Sequence, residues 1–223
     1  MSDSIKHECG IAFIRLLKPL EYYQAKYGTW KYGLNKLYLL MEKQHNRGQD
    51  GAGIAFCKLD AKPGTEYLTR IRSNKNSPIA KIFNTINSPY IEIQKTKPEL
   101  LKDAHWIQQN TPFAADIYLG HLRYGTFGGN DIANTHPVSR ENNWKTRNLM
   151  LAGNFNLANM DELFNKLIEL GQHPRGYTDI VTILEKIGHF LDRENQKLFA
   201  EYKAAGKNNV QISDAISHNI NVP

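Results

Sequence analysis

The chain has 223 residues, 28 Lys and Arg against 22 Asp and Glu for a formal net charge of +6, and two cysteines. That length buries a sizeable core in one large domain, or a domain with a tail; the basic residues are dispersed rather than blocked, which suits a solvated surface and argues against nucleic acid as partner. No apolar run approaches the roughly 20 residues that cross a bilayer, the N-terminus lacks the apolar core of a signal peptide, and the cysteines fit neither a disulfide framework nor zinc spacing, so the expectation is a cytoplasmic protein with no membrane and no structural metal.

The first expected strand is 10–16. Residues 18–31 are polar and aromatic, with Tyr22, Tyr23, Tyr27 and Trp30, and read as an inserted loop or a partner surface. Leu34, Leu37, Tyr38 and Met41 recur at helical spacing and predict a helix with one apolar face. It runs into Gln44-His45-Asn46-Arg47-Gly48-Gln49-Asp50-Gly51-Ala52-Gly53, where three glycines signal a tight turn with backbone close to another segment. A strand at 54–58, a turn at Lys62-Pro63-Gly64 and a strand at 67–72 make a hairpin. In 74–112, Ile79, Ile82, Phe83 and Ile86 predict a helix after Ser77-Pro78; Leu100, Leu101 and Trp106 predict a second one, starting after Pro98.

Residues 116–124 alternate as a strand and enter a glycine-rich loop, Gly125-Thr126-Phe127-Gly128-Gly129-Asn130. A further strand is expected near 148–152. Asn159 with Glu162 reads as a capping box opening a helix with Leu163, Phe164, Leu167 and Ile168 on one face, stopped by Gly171. Thr178-Asp179 starts another helix with Ile180, Ile183, Leu184 and Ile187 inward. From Arg193 the chain turns polar, which suggests a C-terminal tail or a truncated link, 193–223, after a domain at 9–192 and a leader at 1–8. Strands first and helices later, without regular alternation, argue against a doubly wound parallel sheet.

Cys9 heads the first strand. Removal of a leader ending at Glu8 would give one residue both a thiol and a free α-amine, a nucleophile with its own base. The bland reading is a small buried hydrophobe, the commoner fate of a lone cysteine. Four later stretches weigh against it: Arg47-Gly48-Gln49-Asp50-Gly51-Ala52-Gly53, Gly120-His121-Leu122-Arg123-Tyr124-Gly125-Thr126, Asn154 in a strand-end loop, and Thr178-Asp179 at a helix start. With Cys9-Gly10-Ile11, and in this order and spacing, they resemble the glutaminase domain of the class II glutamine amidotransferases, which are N-terminal nucleophile hydrolases. The form Arg-Gly-Gln-Asp is most similar to the amidophosphoribosyltransferases.

The resemblance implies an α+β fold, a four-layer αββα sandwich of two antiparallel sheets between helical layers. It implies hydrolysis of glutamine to glutamate and ammonia through a Cys9 thioester. The oxyanion would be held by the Asn154 side-chain amide and the Phe155 N–H, and Arg47 would order the nucleophile's terminus. Arg123 would pair with the glutamine α-carboxylate and Asp179 with its α-ammonium. Tyr124, Gly125 and Thr126 would line the pocket, with His136 near its rim. No cofactor is implied for this part. Ammonia would pass to a phosphoribosyltransferase domain of the full-length enzyme, which would carry any Mg²⁺ and act in purine biosynthesis, in a homo-oligomer. No pyrophosphate-binding signature occurs in these residues.

The pattern departs from the family at four places. The leader precedes Cys9. Gly153-Asn154-Phe155 stands where the family commonly has His-Asn-Gly, and Phe155 resists a positive φ. Asn46 separates His45 from Arg47. The segments 18–31 and 74–112 are long. Singly, Arg123 and Asp179 read as surface charges, Asp179 or Thr178 as a helix cap and Asn154 as a turn residue. Cys57 reads as core and His121 as structural. The alternatives are another class II amidotransferase, an acylase acting on apolar amides, and a degenerate domain that binds or regulates without turnover.

Overall fold

The computed structural model describes residues 8–125 and 131–219. Among them are seven α-helices and two antiparallel sheets, an α+β protein. The chain divides into two compact units, one running to Pro137 and including Ala152–Asn154, the other formed by Val138–Leu151 and the chain from Phe155 onward.

The first unit is built on four strands, β1 (Gly10–Arg15), β2 (Gly51–Cys57), β3 (Leu68–Ser73) and β4 (Ile117–Arg123), in the order β1-β4-β2-β3. Every neighbour is antiparallel, and β4 is held from both sides: Leu122 pairs with Gly10 and Ala52, and Gly120 with Ala12 and Ile54. Side chains alternate across a strand, so this register puts Ala12, Ala52, Ile54, Phe56, Tyr118 and Leu122 on one face. All six are buried. Helices α2 (Tyr32–Lys43) and α3 (Pro78–Thr96) cover that face. They insert Leu34, Leu37, Met41, Ile82 and Ile86, each nearly inaccessible. Burial of one such side chain stabilises by roughly 1.5–3 kcal/mol. The opposite face carries Ile11, Phe13, Ala55, His121 and Arg123.

Helix α2 is where its periodicity places it, although Tyr38 sits at the edge of the apolar stripe with its ring edge-on to Phe83. Residues 18–31 are not a loop. They contain α1 (Leu20–Tyr27), which ends on Gly28 in the left-handed region with its N–H on the Gln24 carbonyl. Leu20 and Tyr23 point into the core, and Trp30 packs against Tyr90. The helix after Pro98 also begins later than expected. Pro98–Lys102 is a 3₁₀ turn, and α4 (Ala104–Asn110) starts where the Asp103 carboxylate accepts the Trp106 N–H at 2.8 Å. Asp103 supplies the N-cap that Pro98 cannot.

In the second unit, β5 (Val138–Arg140) pairs with β6 (Leu149–Leu151). Its helices are α5 (Met160–Glu169), α6 (Asp179–Ala204) and α7 (Asn209–Asn219). The core is small: Val138, Ile180 and Leu184, with Leu149, Leu151, Phe155 and Val181 packed against it. Arg140 braces β5 to α6 through Glu185 at 3.1 Å and Asp192 at 2.6 Å. Ile187, expected inward, is 41% exposed because the inward stripe of α6 passes through Gly188, over which the Arg140 side chain lies.

The capping box at Asn159 does not form. Its side chain makes no cap bond, and the Glu162 carboxylate is taken by Lys166 and by the Asn159 side chain instead. Among the described residues beyond Arg193 most are helical: α6 runs through that position to Ala204, and Ile212 and Ile216 of α7 are buried. Asn195 is fully buried, donating to the Leu191 carbonyl at 2.8 Å and to the Thr146 carbonyl. No helix among the described residues is long and apolar enough to cross a membrane.

Candidate functional site

Three separate stretches of the first unit meet at one end of the four-stranded sheet. Cys9 immediately precedes β1, the Arg47–Asp50 turn precedes β2, and Tyr124 and Gly125 follow β4. Because β4 is antiparallel to both β1 and β2, its C-terminal end lies beside their N-terminal ends. The Cys9 thiol, partly exposed, lies 4.0 Å from the Tyr124 carbonyl oxygen. Arg123, the last residue of β4, pairs in register with Gly51 and is 5% exposed.

The turn is tied to β4 by two bonds. Asp50 donates its N–H to the Arg123 carbonyl at 3.1 Å, and its carboxylate accepts the Gly125 N–H at 2.7 Å. Gly48 is where the backbones touch: a Cβ there would lie 2.7 Å from the Leu122 carbonyl and from the Arg123 carbonyl carbon. That close approach is the reason for a glycine in the turn. Arg47 is exposed, and its guanidinium is 3.5 Å from the Glu8 carboxylate, a solvent-screened pair of small energetic value.

A second cluster lies on the same unit, around residues 135–137. Arg72 donates to the Thr135 carbonyl at 2.8 Å, and Arg70 to the Pro137 carbonyl at 2.9 Å. Between them the His136 carbonyl presses onto Gly53, where a Cβ would come within 2.0 Å of it. The His136 ring packs on His121 at 4.6 Å between centroids, and its Nδ1 accepts the Gly153 N–H at 3.4 Å, a long hydrogen bond. His121 is fully buried, as its structural reading requires. Burial pushes it down to about 3, helped by His136 and Arg123. Burial likewise pushes His136 down to about 4, with Arg123 and Arg72 adding to the effect. Both imidazoles are therefore neutral at neutral pH.

Asn154 follows Gly153 and is exposed. Phe155 and Asp179 belong to the second unit. Phe155 has no positive φ, and its ring packs against the small core of Val138, Ile180 and Leu184. Asp179 opens α6, whose N-cap is Thr178, accepting the Val181 N–H. The Asp179 carboxylate accepts the Leu157 N–H at 3.3 Å, so it holds the stretch that follows Phe155. Thr126, expected in the pocket lining, and residues 127–130 lie outside the described residues.

The first unit thus brings Cys9, Arg47, Tyr124 and Gly125 to the strand end that Arg123 closes, puts the Arg123 charge near His121 and His136, and links His136 to the backbone next to Asn154. Sequence reasoning quoted Asp50 within its motif but gave it no role. It missed the His121–His136 contact, for which the only signal is the position of His121 between apolar residues of an alternating strand. No group of His, Cys, Asp and Glu that could hold a metal occurs among the described residues. Chemically, the thiol at this strand end can serve as a nucleophile, and the buried Arg123, whose charge is felt at His121 and His136, is a cation suited to pairing with a carboxylate.

No protein-family model matches the chain, and no curated protein matches it. Among solved structures it is similar to the glutamine phosphoribosylpyrophosphate amidotransferase of B. subtilis, solved with ADP and GMP. The TM-score is 0.43 and the identity 22%, over 67% of this chain and 25% of that one. The chain therefore spans about a quarter of the length of that relative.

Proposed function

We propose that the chain hydrolyses the side-chain amide of glutamine, with Cys9 as nucleophile, as the glutaminase part of an N-terminal nucleophile amidotransferase. The observation that carries this reading is the convergence of the Cys9 thiol, the Arg47–Asp50 turn and the buried Arg123 at one sheet end. Removal of the residues before Cys9 would free its α-amine, whose ordinary pKa of about 8 lets it take the thiol proton near neutral pH. The thiolate then attacks the carboxamide carbon, and the oxyanion is held by the Asn154 amide and the Phe155 N–H. The amine returns its proton to the departing ammonia, and water hydrolyses the Cys9 thioester to glutamate.

In this reading Arg123 pairs with the α-carboxylate and Asp179 with the α-ammonium. Tyr124, Gly125 and Thr126 line the pocket, and the sheets belong to a four-layer αββα sandwich. These assignments are supported by the resemblance. The acceptor of ammonia would be a phosphoribosyltransferase domain, as in the amidophosphoribosyltransferases of purine synthesis, in a homo-oligomer.

One contact favours a second reading, a domain that keeps its leader and binds without turnover: Glu8 pairs with Arg47, the residue assigned to order a freed Cys9. Intact mass before and after treatment with an electrophilic glutamine analogue separates the two. A chain beginning at Cys9 that gains one adduct and releases ammonia from glutamine supports the glutaminase. A chain cut back to Cys9 that gains no adduct and releases no ammonia overturns it.

A further inference from the structure

The loop that carries Asn154, Ala152-Gly153-Asn154, follows β6 and has no helix or strand of its own. Residues 152–154 belong to the first unit, where they meet the segment 135–137, which is fixed on β2, β3 and β4 by three independent devices. Arg72 and Arg70 bind the carbonyls of Thr135 and Pro137, the His136 carbonyl seats on Gly53, and the His136 ring packs at a tilt on His121 of β4. From this platform His136 Nδ1 reaches the loop and accepts the Gly153 N–H. An acceptor at Nδ1 requires the tautomer with its proton on Nε2. Burial beside Arg123 and Arg72 keeps the ring in a neutral form that can accept.

We propose that His136 is a positioning residue: it locks the backbone at Gly153 and so aims the Asn154 amide. Its catalytic consequence rests on the glutaminase reading, but the link to Gly153 does not. His136 touches no reacting atom in this scheme. It acts through the loop, as a misplacement of about 1 Å at an oxyanion donor costs around 10²-fold in rate.

The test compares His136→Asn, which keeps an acceptor near the Nδ1 position, with His136→Gln, which is closer in reach to Nε2, and with His136→Ala. Two readouts are taken on the chain processed to Cys9: hydrogen exchange of the Gly153 amide, and kcat and KM for ammonia release from glutamine. Loss of the bond in His136→Gln and His136→Ala should speed Gly153 exchange by roughly tenfold. It should also lower kcat about 10- to 100-fold with KM little changed, and His136→Asn should restore both. Wild-type exchange at Gly153 in all variants, or equal loss of kcat in His136→Asn and His136→Gln, would overturn the proposal. If the wild type releases no ammonia, the glutaminase reading fails, and the exchange comparison still decides whether His136 holds the loop.

Discussion

The Asp50 carboxylate accepts the Gly125 N–H at 2.7 Å while the Asp50 N–H donates to the Arg123 carbonyl at 3.1 Å. One residue thereby clamps the ends of two strands, β2 and β4, across the site. Asp50→Ala removes a charge-assisted bond and should cost about 1–2 kcal/mol in denaturant unfolding, while Asp50→Asn, which retains an acceptor, should cost less. If Tyr124 and Gly125 line a glutamine pocket, Asp50→Ala should also raise KM several-fold with a smaller effect on kcat. An unchanged denaturation midpoint in Asp50→Ala would mean the clamp has no energetic weight.

Gly48→Ala should be worse than any helix-surface substitution. Its Cβ would meet backbone atoms of Leu122 and Arg123 at 2.7 Å, and no side chain can rotate away to relieve the overlap. The expected destabilisation is about 1–3 kcal/mol, in the range of overpacked cores. Circular dichroism melting measures it, and the displaced end of β4 should show as altered reactivity of the nearby Cys9 thiol.

The segments most legible from sequence were those with a strong period. Leu34, Leu37 and Met41 of α2, and Ile79, Ile82, Phe83 and Ile86 of α3, are buried as their spacing requires. The alternation in β4 was equally readable. The helix α1 was not, because its inward residues are only Leu20 and Tyr23 among tyrosines and lysines, which dilutes the apolar stripe. Three residues, Val138–Arg140, are too short a run to show a strand period. The far half of α6 is polar because its burial there is polar: Asn195 is inside, hydrogen-bonded rather than apolar. At the site, the motifs marked Cys9, the turn before β2 and Arg123, but contacts made through backbone atoms, such as Gly153 to His136, leave no trace in residue type.

Lys58 illustrates a contact of the same kind within the core. It is 4% exposed at the end of β2, and its ammonium donates to the carbonyls of Gln108 and Thr111 at 2.7 and 2.6 Å. Burial lowers its pKa, with Glu66 and Asp116 opposing. Lys58→Met keeps the stem but leaves two carbonyls without that donor, and should destabilise by about 1–3 kcal/mol. Thermal denaturation of the variant against wild type gives the value, and an unchanged melting temperature would contradict it.

The buried imidazoles predict acid sensitivity. In the unfolded chain a histidine binds its proton below about pH 6.5. In the folded chain burial delays this to about 4 for His136 and about 3 for His121. Between those limits the unfolded state holds more protons, so the full contribution exists above pH 6.5 and drains away as pH falls. The slope is up to about 1.4 kcal/mol per pH unit for each imidazole. Denaturant midpoints measured from pH 7.5 to 4.5 should fall, and His136→Asn should reduce the slope by about one proton's worth. An identical slope in that variant would place the acid sensitivity elsewhere.

Strand polarity puts Cys9 at one end of the first unit's sheet and leaves the other end apart from it. The Lys62-Pro63-Gly64 turn lies beyond Cys57, at the opposite end of β2 from Gly51, with Gly64 in the left-handed region. The seven residues of β2 set the Gly51 and Cys57 ends roughly 20 Å apart. A fluorophore or an epitope spliced between Pro63 and Gly64 would report on this protein without entering the neighbourhood of the Cys9 thiol.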